Sequence, residues 1–316
     1  MKIIVTGSSG FVGGALLKTL RDRGFDARGF SRLARTGDLQ GDLLDRESIR
    51  AALETFAPEL IYNLAGQTDL KGTPKGGYSV NTDGVSNLCE VAAGADSVRR
   101  IVWASSQLVN KAGRPGASET DYDPGCAYGH SKAEAERRIR RLDGGGKEWV
   151  IFRSSTIWGP GMSEHYAGIL RLIRRGRYFH IGSRKLRKSY SYIENLVDQL
   201  ITLGTAPAEQ VHRKTFYLAD SEPIELRAWH DQFASIFGRR IPTVPLFLAR
   251  LAAAGGDLAS RLGVRVPITS GRLANLLTEY VHDVSPIEAI HGRTTISNEE
   301  GVRRTAQWLM NVDARN

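Results

Sequence analysis

The chain has 316 residues, of which 41% are hydrophobic and 24% are charged, so a disordered chain is excluded as the default. Its two cysteines are too few for a disulfide framework, and no basic leader precedes the opening apolar run, so we expect a reduced, cytoplasmic setting. The longest later apolar stretch, 241–256, is shorter than the roughly 20 residues that a membrane span requires, so we expect no membrane insertion.

Short β-rich runs alternate with helical stretches in the first half of the chain, which is typical of βαβ units and a parallel sheet. The predicted strands are 2–6, 26–30, 60–63, 100–104, 149–153 and 216–219. The predicted helices are 12–23, 46–56, 78–93 and 127–142, where apolar residues recur every three or four positions.

A glycine-rich turn, with the spacing G-x-x-G-x-x-G, follows the first strand and opens the first helix. Such a turn can be a plain tight connection, but its position between a strand and a helix favours a dinucleotide-binding loop. Backbone N–H groups at the start of the helix would face a pyrophosphate. The residues of this loop that we expect to bind the cofactor are Gly7, Ser9, Gly10, Phe11, Val12 and Gly13.

We therefore predict an α/β protein with a Rossmann-like, doubly wound parallel sheet and a smaller, mixed C-terminal substrate lobe. The chain becomes irregular after about residue 160, where prolines and glycines break it into short elements. The predicted boundaries are 1–160 for the dinucleotide-binding Rossmann domain and 161–316 for a mainly substrate-binding lobe, with a segment near 190–220 that returns to the Rossmann sheet.

The second strand ends in Ser31-Arg32, where an acid would bind the ribose 2′-hydroxyl of NAD. A hydroxyl beside a guanidinium suits a 2′-phosphate, so this pair favours NADP over NAD, although it can also be a plain polar turn. On the next loop, Asp42 and Leu43 can address the adenine edge, or Asp42 can be an ordinary loop carboxylate.

Tyr128 and Lys132 are four residues apart on a predicted helix, so their side chains project from the same face. The unperturbed pKa of tyrosine is about 10, and a nearby ammonium group lowers it by favouring the phenolate. Tyr128 could then exchange a substrate hydroxyl proton while hydride passes to or from a nicotinamide. Ser106 follows strand 100–104 at the expected C-terminal edge of the sheet, where it would orient the substrate oxygen.

This order of glycine loop, strand-end serine and tyrosine–lysine helix resembles the extended short-chain dehydrogenases/reductases, specifically the NAD(P)-dependent epimerases and dehydratases that act on nucleotide sugars. The resemblance spans nearly the whole chain. The further segments that carry it are 41–43, 62–66, Asn81 with Gly84, 87–88, 158–161, 191–195 and 297–301.

The resemblance implies that Ser106, Tyr128 and Lys132 are catalytic and that Asn81 supports the active-site helix. Beyond the glycine loop, the residues expected at the cofactor from their positions are Ser31, Arg32, Asp42 and Leu43. Those expected there with the resemblance are Leu64, Ala65, Gly66, Asn81, Tyr128 and Lys132. The residues it places at the substrate are Ser106, Thr156 and Lys188. Relatives often carry an asparagine and an arginine, touching the substrate diphosphate, at the last two positions.

Departures from the family pattern discriminate among reactions. Dehydratases carry an Asp-Glu pair directly after the catalytic serine or threonine, whereas Gln107 and Leu108 follow Ser106 here. Neither side chain can exchange a proton near neutral pH, so a dehydratase is disfavoured. Val109-Asn110-Lys111 also replaces the usual Val-Tyr-Gly, which predicts an unusual substrate side of the pocket.

Two reactions fit this pattern. The leading one is a nucleotide-sugar epimerase, at C4, that oxidises the sugar transiently to a ketone with Tyr128 as acid and base, and the overall resemblance favours it. The second is an NADPH-dependent reductase of a keto-sugar nucleotide, which Ser31-Arg32 favours. A non-catalytic cofactor-binding protein of the same fold is a third hypothesis, which the intact Ser106, Tyr128 and Lys132 oppose.

The expected partners follow from charge and from the resemblance. The net charge of +9 is densest between Arg171 and Lys188, a run that can be a solvated face, a patch for an anionic substrate, or a nucleic-acid or membrane surface. We expect no nucleic acid, because no module pattern accompanies the run, and no metal, because the histidines lack ligand spacing. The resemblance implies surface polysaccharide synthesis and a homodimer through helices 78–93 and 127–142.

Overall fold

The computed structural model describes residues 1–69, 77–114, 116–261 and 269–314. The chain folds into two compact units. The first contains Met1–Ile157, Ser191–Ser221 and His282–Thr295, and the second contains Trp158–Tyr190, Glu222–Val281 and Ile296–Asn316. The roles of dinucleotide-binding domain and substrate lobe stay predictions.

The elements alternate between strand and helix along the first half of the chain. The described strands are β1 (Lys2–Thr6), β2 (Asp26–Ser31), β3 (Leu39–Gln40), β4 (Leu60–Asn63), β5 (Arg100–Ser106), β6 (Glu148–Ser154), β7 (Thr156–Trp158), β8 (His180–Ile181), β9 (Arg187–Lys188), β10 (Tyr190–Tyr192), β11 (Lys214–Leu218), β12 (Ile224–Glu225) and β13 (Thr243–Val244). The described helices are α1 (Phe11–Asp22), α2 (Arg46–Phe56), α3 (Ser79–Ala93), α4 (Ala127–Arg141), α5 (Asp143–Gly146), α6 (Glu164–Arg174), α7 (Ile193–Thr205), α8 (Ala208–Val211), α9 (Leu226–Ile236), α10 (Leu246–Arg261), α11 (Ser270–Leu277), α12 (Ser285–His291) and α13 (Asn298–Asp313), with a 3-10 turn at Gln107–Val109.

A seven-stranded parallel sheet forms the centre of the first unit, in the order β3-β2-β1-β4-β5-β6-β11. This sheet confirms the predicted α/β, Rossmann-like fold. Strands β1 and β4 have the predicted bounds because their apolar runs are buried on both faces of the sheet. The order also places β1 between β2 and β4, so successive strands are added on one side of β1 up to β3 and on its other side from β4 onward. This change in strand order falls at the glycine loop, where ligands bind in open sheets of this type.

Pairing within the sheet changes the bounds of four predicted strands, β2 (to Ser31), β6 (to Glu148–Ser154), β5 and β11, and adds the strand β3. Strand β5 continues to Ser106 because Ser106 still pairs with Ser154 of β6. Strand β11 begins at Lys214, opposite Val150, and ends at Leu218, whereas the sequence predicted 216–219. Strand β3 was not predicted, because a two-residue strand has no detectable periodicity.

Helix α2 is specified by its local sequence, through an N-cap residue and a periodic apolar face. Asp45 caps its first turn by accepting a hydrogen bond from the Glu47 N–H at 3.0 Å. Ile49, Leu53 and Phe56 recur every three or four residues, and they are buried in the core beside the sheet.

The second unit is smaller and mostly helical, with two-stranded pairs of β12 with β9 and of β13 with β8. Its aromatic core contains Trp158, Trp229 and Phe233, and the Trp158 and Trp229 rings meet edge to face with centroids 5.2 Å apart. Among the described residues, no helix combines the length and hydropathy needed to cross a bilayer.

Candidate active site

The glycine loop is a tight strand-to-helix turn. Gly7 has a φ of 66°, a conformation that favours glycine, and its N–H donates to the Phe30 carbonyl oxygen at 3.1 Å. A Cβ atom at Gly13 would collide with the Gly7 carbonyl oxygen, so helix α1 can lie this close only with glycine there. Gly10 is the N-cap of α1 and supplies no side-chain cap, which leaves the helix N-terminus suited to bind a pyrophosphate.

The segment after β4 lies directly against this loop. Thr6 Oγ1 donates to Asn63 Oδ1 at 2.8 Å and accepts from the Ala65 N–H at 3.0 Å. A Cβ atom at Gly7 would lie only 2.8 Å from Ala65 Cα, so the two backbones approach closely here. The structure therefore brings residues 64–66 beside the glycine loop.

Asn81 connects the segment after β4 to helix α4. It is 1% exposed, and its Nδ2 donates to the Ser131 hydroxyl at 2.9 Å and to the Gln67 carbonyl oxygen at 3.0 Å. Its Oδ1 accepts from the Gln67 N–H at 2.8 Å. Because Ser131 precedes Lys132 on α4, these bonds hold that helix against the glycine-loop side of the sheet.

Lys132 lies in the interior of this region. Its Nζ donates to the Ala104 carbonyl oxygen at 2.8 Å, and a Cβ atom at Gly66 would lie 3.4 Å from the same Nζ. Burial lowers the pKa of Lys132 to about 8, and the charge of Glu136, one turn later on α4, opposes this fall. The ammonium form therefore predominates at neutral pH.

Tyr128 and Ser106 lie where β5 and α4 meet. Tyr128 is half-buried in the first turn of α4, with its ring centroid 6.3 Å from that of Tyr78. Ser106 is buried at the end of β5, and its hydroxyl accepts from the Leu108 N–H at 3.1 Å. A Cβ atom at Gly129 would overlap the Leu108 carbonyl oxygen, so α4 packs closely on the turn after Ser106.

A buried charged cluster under α4 was not predicted. Glu136 is fully buried, and it accepts two hydrogen bonds from Arg153, at 2.9 and 2.8 Å, one from Ser105 at 2.5 Å and one from Tyr122 at 3.1 Å. Burial lowers the pKa of Arg153, but the hydrogen bonds to Glu136 and the charge of Glu136 have a larger effect. The pKa of Arg153 is therefore raised. The sequence feature that could have indicated this cluster is a spacing: Glu136 follows Lys132 by four residues, so both lie on one face of the helix.

The end of β2 has two polar groups without partners. The Ser31 hydroxyl is buried and accepts or donates no hydrogen bond among the described residues. Arg32 is exposed, and no described carboxylate pairs with it. The nearby Asp38 carboxylate is already occupied, because it accepts from the Gly29 N–H at 2.8 Å and from Arg21 at 2.5 Å.

Asp42 and Leu43 follow β3 on the loop into α2. Asp42 is half-buried, and its carboxylate accepts from the Leu44 N–H at 3.0 Å. Leu43 is buried in the core and lies against Gly84 of α3. The contact of Asp42 and Leu43 with the adenine of the cofactor is still a prediction.

Residues 3–219 match the family model described as the NAD dependent epimerase/dehydratase family. The chain belongs to this family. A 2-alkyl-3-oxoalkanoate reductase of Stenotrophomonas maltophilia is 26% identical over 96% of this chain and 98% of its own. A UDP-glucose 4-epimerase of Vibrio cholerae is 30% identical over 70% of this chain and 71% of its own.

A solved structure shows the same fold. The Thermus thermophilus UDP-glucose 4-epimerase in complex with NAD superposes with a TM-score of 0.74, at 20% identity, over 98% of this chain and 99% of that one. The resemblance predicted from the motifs is confirmed, and this epimerase/dehydratase family member is an NAD(P)-dependent enzyme of the oxidoreductase and epimerase type.

Gln107 directly follows Ser106 and begins the 3-10 turn Gln107–Val109. Its Oε1 accepts a hydrogen bond from His282 Nε2 at 2.7 Å, and the His282 ring stacks on Tyr217 with centroids 4.3 Å apart. Burial lowers the pKa of His282 to about 4, so the ring is neutral at pH 7. The amide of Gln107 is thus held in place, and it has no proton to exchange.

Of the three residues predicted to bind the substrate, Ser106 and Thr156 belong to the first unit and Lys188 belongs to the second. Thr156 is half-buried in the first unit, and Lys188 is 4% exposed in the second. The Lys188 Nζ lies 4.8 Å from the Tyr280 ring centroid and 3.4 Å from the Asn275 carbonyl oxygen, and no carboxylate of the described residues pairs with it. Burial lowers its pKa to about 8. A buried ammonium group without a counter-ion is suited to bind an anion.

Some of the arginines in the basic run between Arg171 and Lys188 form ion pairs within the protein. Arg171 and Arg174 bind the Asp313 carboxylate at 2.8 and 2.7 Å. These ion pairs neutralise part of the run within the second unit.

Proposed function

We propose that this family member is an NADP-linked reductase that acts on a ketone of an anionic substrate, with a keto-sugar nucleotide as the expected class. This proposal rests on the buried Ser31 hydroxyl and the neighbouring Arg32 guanidinium, neither of which has a partner among the described residues. A 2′-phosphate would give that hydroxyl an acceptor and that guanidinium a counter-ion. Asp38, the carboxylate beside β2, already accepts hydrogen bonds at Oδ1 from the Gly29 N–H and from Arg21, which disfavours it as the acid for an NAD ribose.

The residues present fit such a dinucleotide. The uncapped N-terminus of α1 at Gly10 would hold the pyrophosphate, and the segment of Ala65 and Gly66 would form one wall of the site. When bound, NADPH supplies the hydride for the ketone carbon.

The chain's own residues supply the proton. Ser106 would donate a hydrogen bond to the ketone oxygen and orient it. Tyr128 Oη would give its proton to that oxygen as the carbon is reduced, which yields a secondary alcohol, and solvent then reprotonates the phenolate. The ammonium group of Lys132, held by the Ala104 carbonyl, stabilises the transient phenolate.

Lys188 supports an anionic substrate. Because it is buried and no carboxylate in the described part of the chain pairs with it, an anion bound there would recover part of the cost of desolvating the ammonium group. A diphosphate or a carboxylate offers the required charge, and lysine would bind either as a point charge.

A C4 epimerase of nucleotide sugars is the second candidate, favoured by the 30% identity to the Vibrio cholerae UDP-glucose 4-epimerase. Ser106, Tyr128 and Lys132 would serve it equally. It would require a dinucleotide that stays bound while hydride leaves the sugar and returns to the other face.

Two measurements test the proposal. Mass spectrometry of dinucleotide released from the denatured, freshly purified protein should find NADP or none, and retained NAD would favour the epimerase. Purified enzyme should consume NADPH in proportion to an added keto-sugar nucleotide or 3-oxo acid. If UDP-sugar epimerises without cofactor consumption, the reductase proposal is wrong.

Native mass measurement tests the proposed homodimer through α3 and α4.

A further inference from the structure

Helix α10 of the second unit carries its large apolar side chains on its solvent side. The exposed fractions are 62% for Phe247, 46% for Leu248, 67% for Leu251 and 61% for Leu258. On its inner face, the small residues Ala249 and Ala253 pack on Leu273 of α11, and the half-buried Leu246 lies beside Gly182. A helix at the surface of a soluble protein normally has the opposite arrangement, with its large apolar residues inside.

The exposed side chains form one continuous stripe. At 3.6 residues per turn, Phe247, Leu251 and Leu258 project within about 40° of one another. Arg250 is also exposed and lies at the side of this stripe. The face of α10 that packs on its own unit therefore has mainly small side chains, and the face toward solvent has large apolar ones.

The charge around the stripe indicates what covers it. The segment 239–260 contains three arginines and a single carboxylate, that of Asp257, which accepts a hydrogen bond from the Ser270 N–H at 3.0 Å. Two copies of this face would bring like charges together, which disfavours self-association. Anionic lipid headgroups would complement the arginines, and the boundary of the acyl chains would accept the leucines and the phenylalanine.

We propose that the outer face of α10 binds an anionic lipid surface. The 16-residue helix would lie along the surface, with Phe247, Leu251 and Leu258 at the acyl boundary and Arg250 among the phosphates. This proposal is independent of the reductase proposal, because it uses no residue of the candidate active site.

Flotation with lipid vesicles tests the proposal. The purified chain should float with vesicles of phosphatidylcholine and phosphatidylglycerol, and much less with phosphatidylcholine alone. The double variant Phe247→Ser/Leu251→Ser should weaken vesicle binding at least about tenfold, and Arg250→Glu should weaken it for the anionic vesicles. All three side chains are exposed, so thermal melting should match that of the unaltered chain.

Matched controls separate this face from general effects. Leu172→Ser removes a leucine that is 42% exposed on α6, and Arg141→Glu reverses an exposed charge at the end of α4. Both should bind vesicles like the unaltered chain. The proposal is overturned if the chain does not float, if neutral vesicles bind it equally, or if the controls lose as much binding. It is also overturned if the chain ignores vesicles and instead dimerises in a way that Phe247→Ser abolishes.

Discussion

Glu136→Gln is the most informative substitution in the first unit. The carboxylate and its partner Arg153 are 0% and 2% exposed, so neither charge is screened by solvent. The amide oxygen of the substituted side chain could still accept from Ser105 and from Arg153 Nε. Its NH₂ group, however, would face Arg153 Nη2, the donor that lies 2.8 Å from the carboxylate in the native chain. Two donors would oppose each other beside an uncompensated buried cation.

We expect this substitution to lower the free energy of unfolding by about 3–5 kcal/mol, the usual cost of removing one partner of a buried ion pair. The assay is urea denaturation of both proteins. Glu134→Gln is the control on the same helix, because Glu134 is 37% exposed and pairs with Arg138 at 2.9 Å. It should cost less than about 1 kcal/mol. If the two variants lose equal stability, the buried pair of Glu136 and Arg153 stabilises the fold no more than the exposed pair does.

The same substitution has a catalytic readout. The charge of Glu136 raises the pKa of Lys132 against the effect of burial, so its removal should lower that pKa further. The alkaline limb of the pH–rate profile should move to lower pH in Glu136→Gln and stay in place in Glu134→Gln. An unmoved limb would mean that Glu136 acts only on stability.

Three further results are expected. Tyr128→Phe should lower kcat at least about a hundredfold with an unchanged melting temperature, and unaltered turnover would exclude Tyr128 as the acid. Activity should fall as pH rises through about 8, because the depressed pKa of Lys132 means that its ammonium form is lost there; a profile flat through that range would contradict this role. Arg32→Ala should raise the KM for NADPH about tenfold to a hundredfold and leave that for NADH unchanged, and equal effects on both would refute a 2′-phosphate contact.

Local patterns in the sequence predicted the parts of the fold that depend on neighbours along the chain. Strands β1 and β4 and helix α2 have their predicted bounds, because burial on both faces of a sheet, or on one face of a helix, leaves a characteristic apolar pattern. The glycine spacing likewise predicted the turn at Gly7, since only short-range backbone geometry decides it.

The sequence by itself therefore determined the α/β class, the glycine loop and the tyrosine–lysine helix. Only the tertiary structure decided which side chains meet across the sheet. Glu136 and Arg153 lie 17 residues apart, on a helix and on a strand, so no periodicity links them. The apolar stretch in α10 was visible in the sequence, but which of its faces is covered depends on α11, because burial is a property of the packed neighbours and not of the segment.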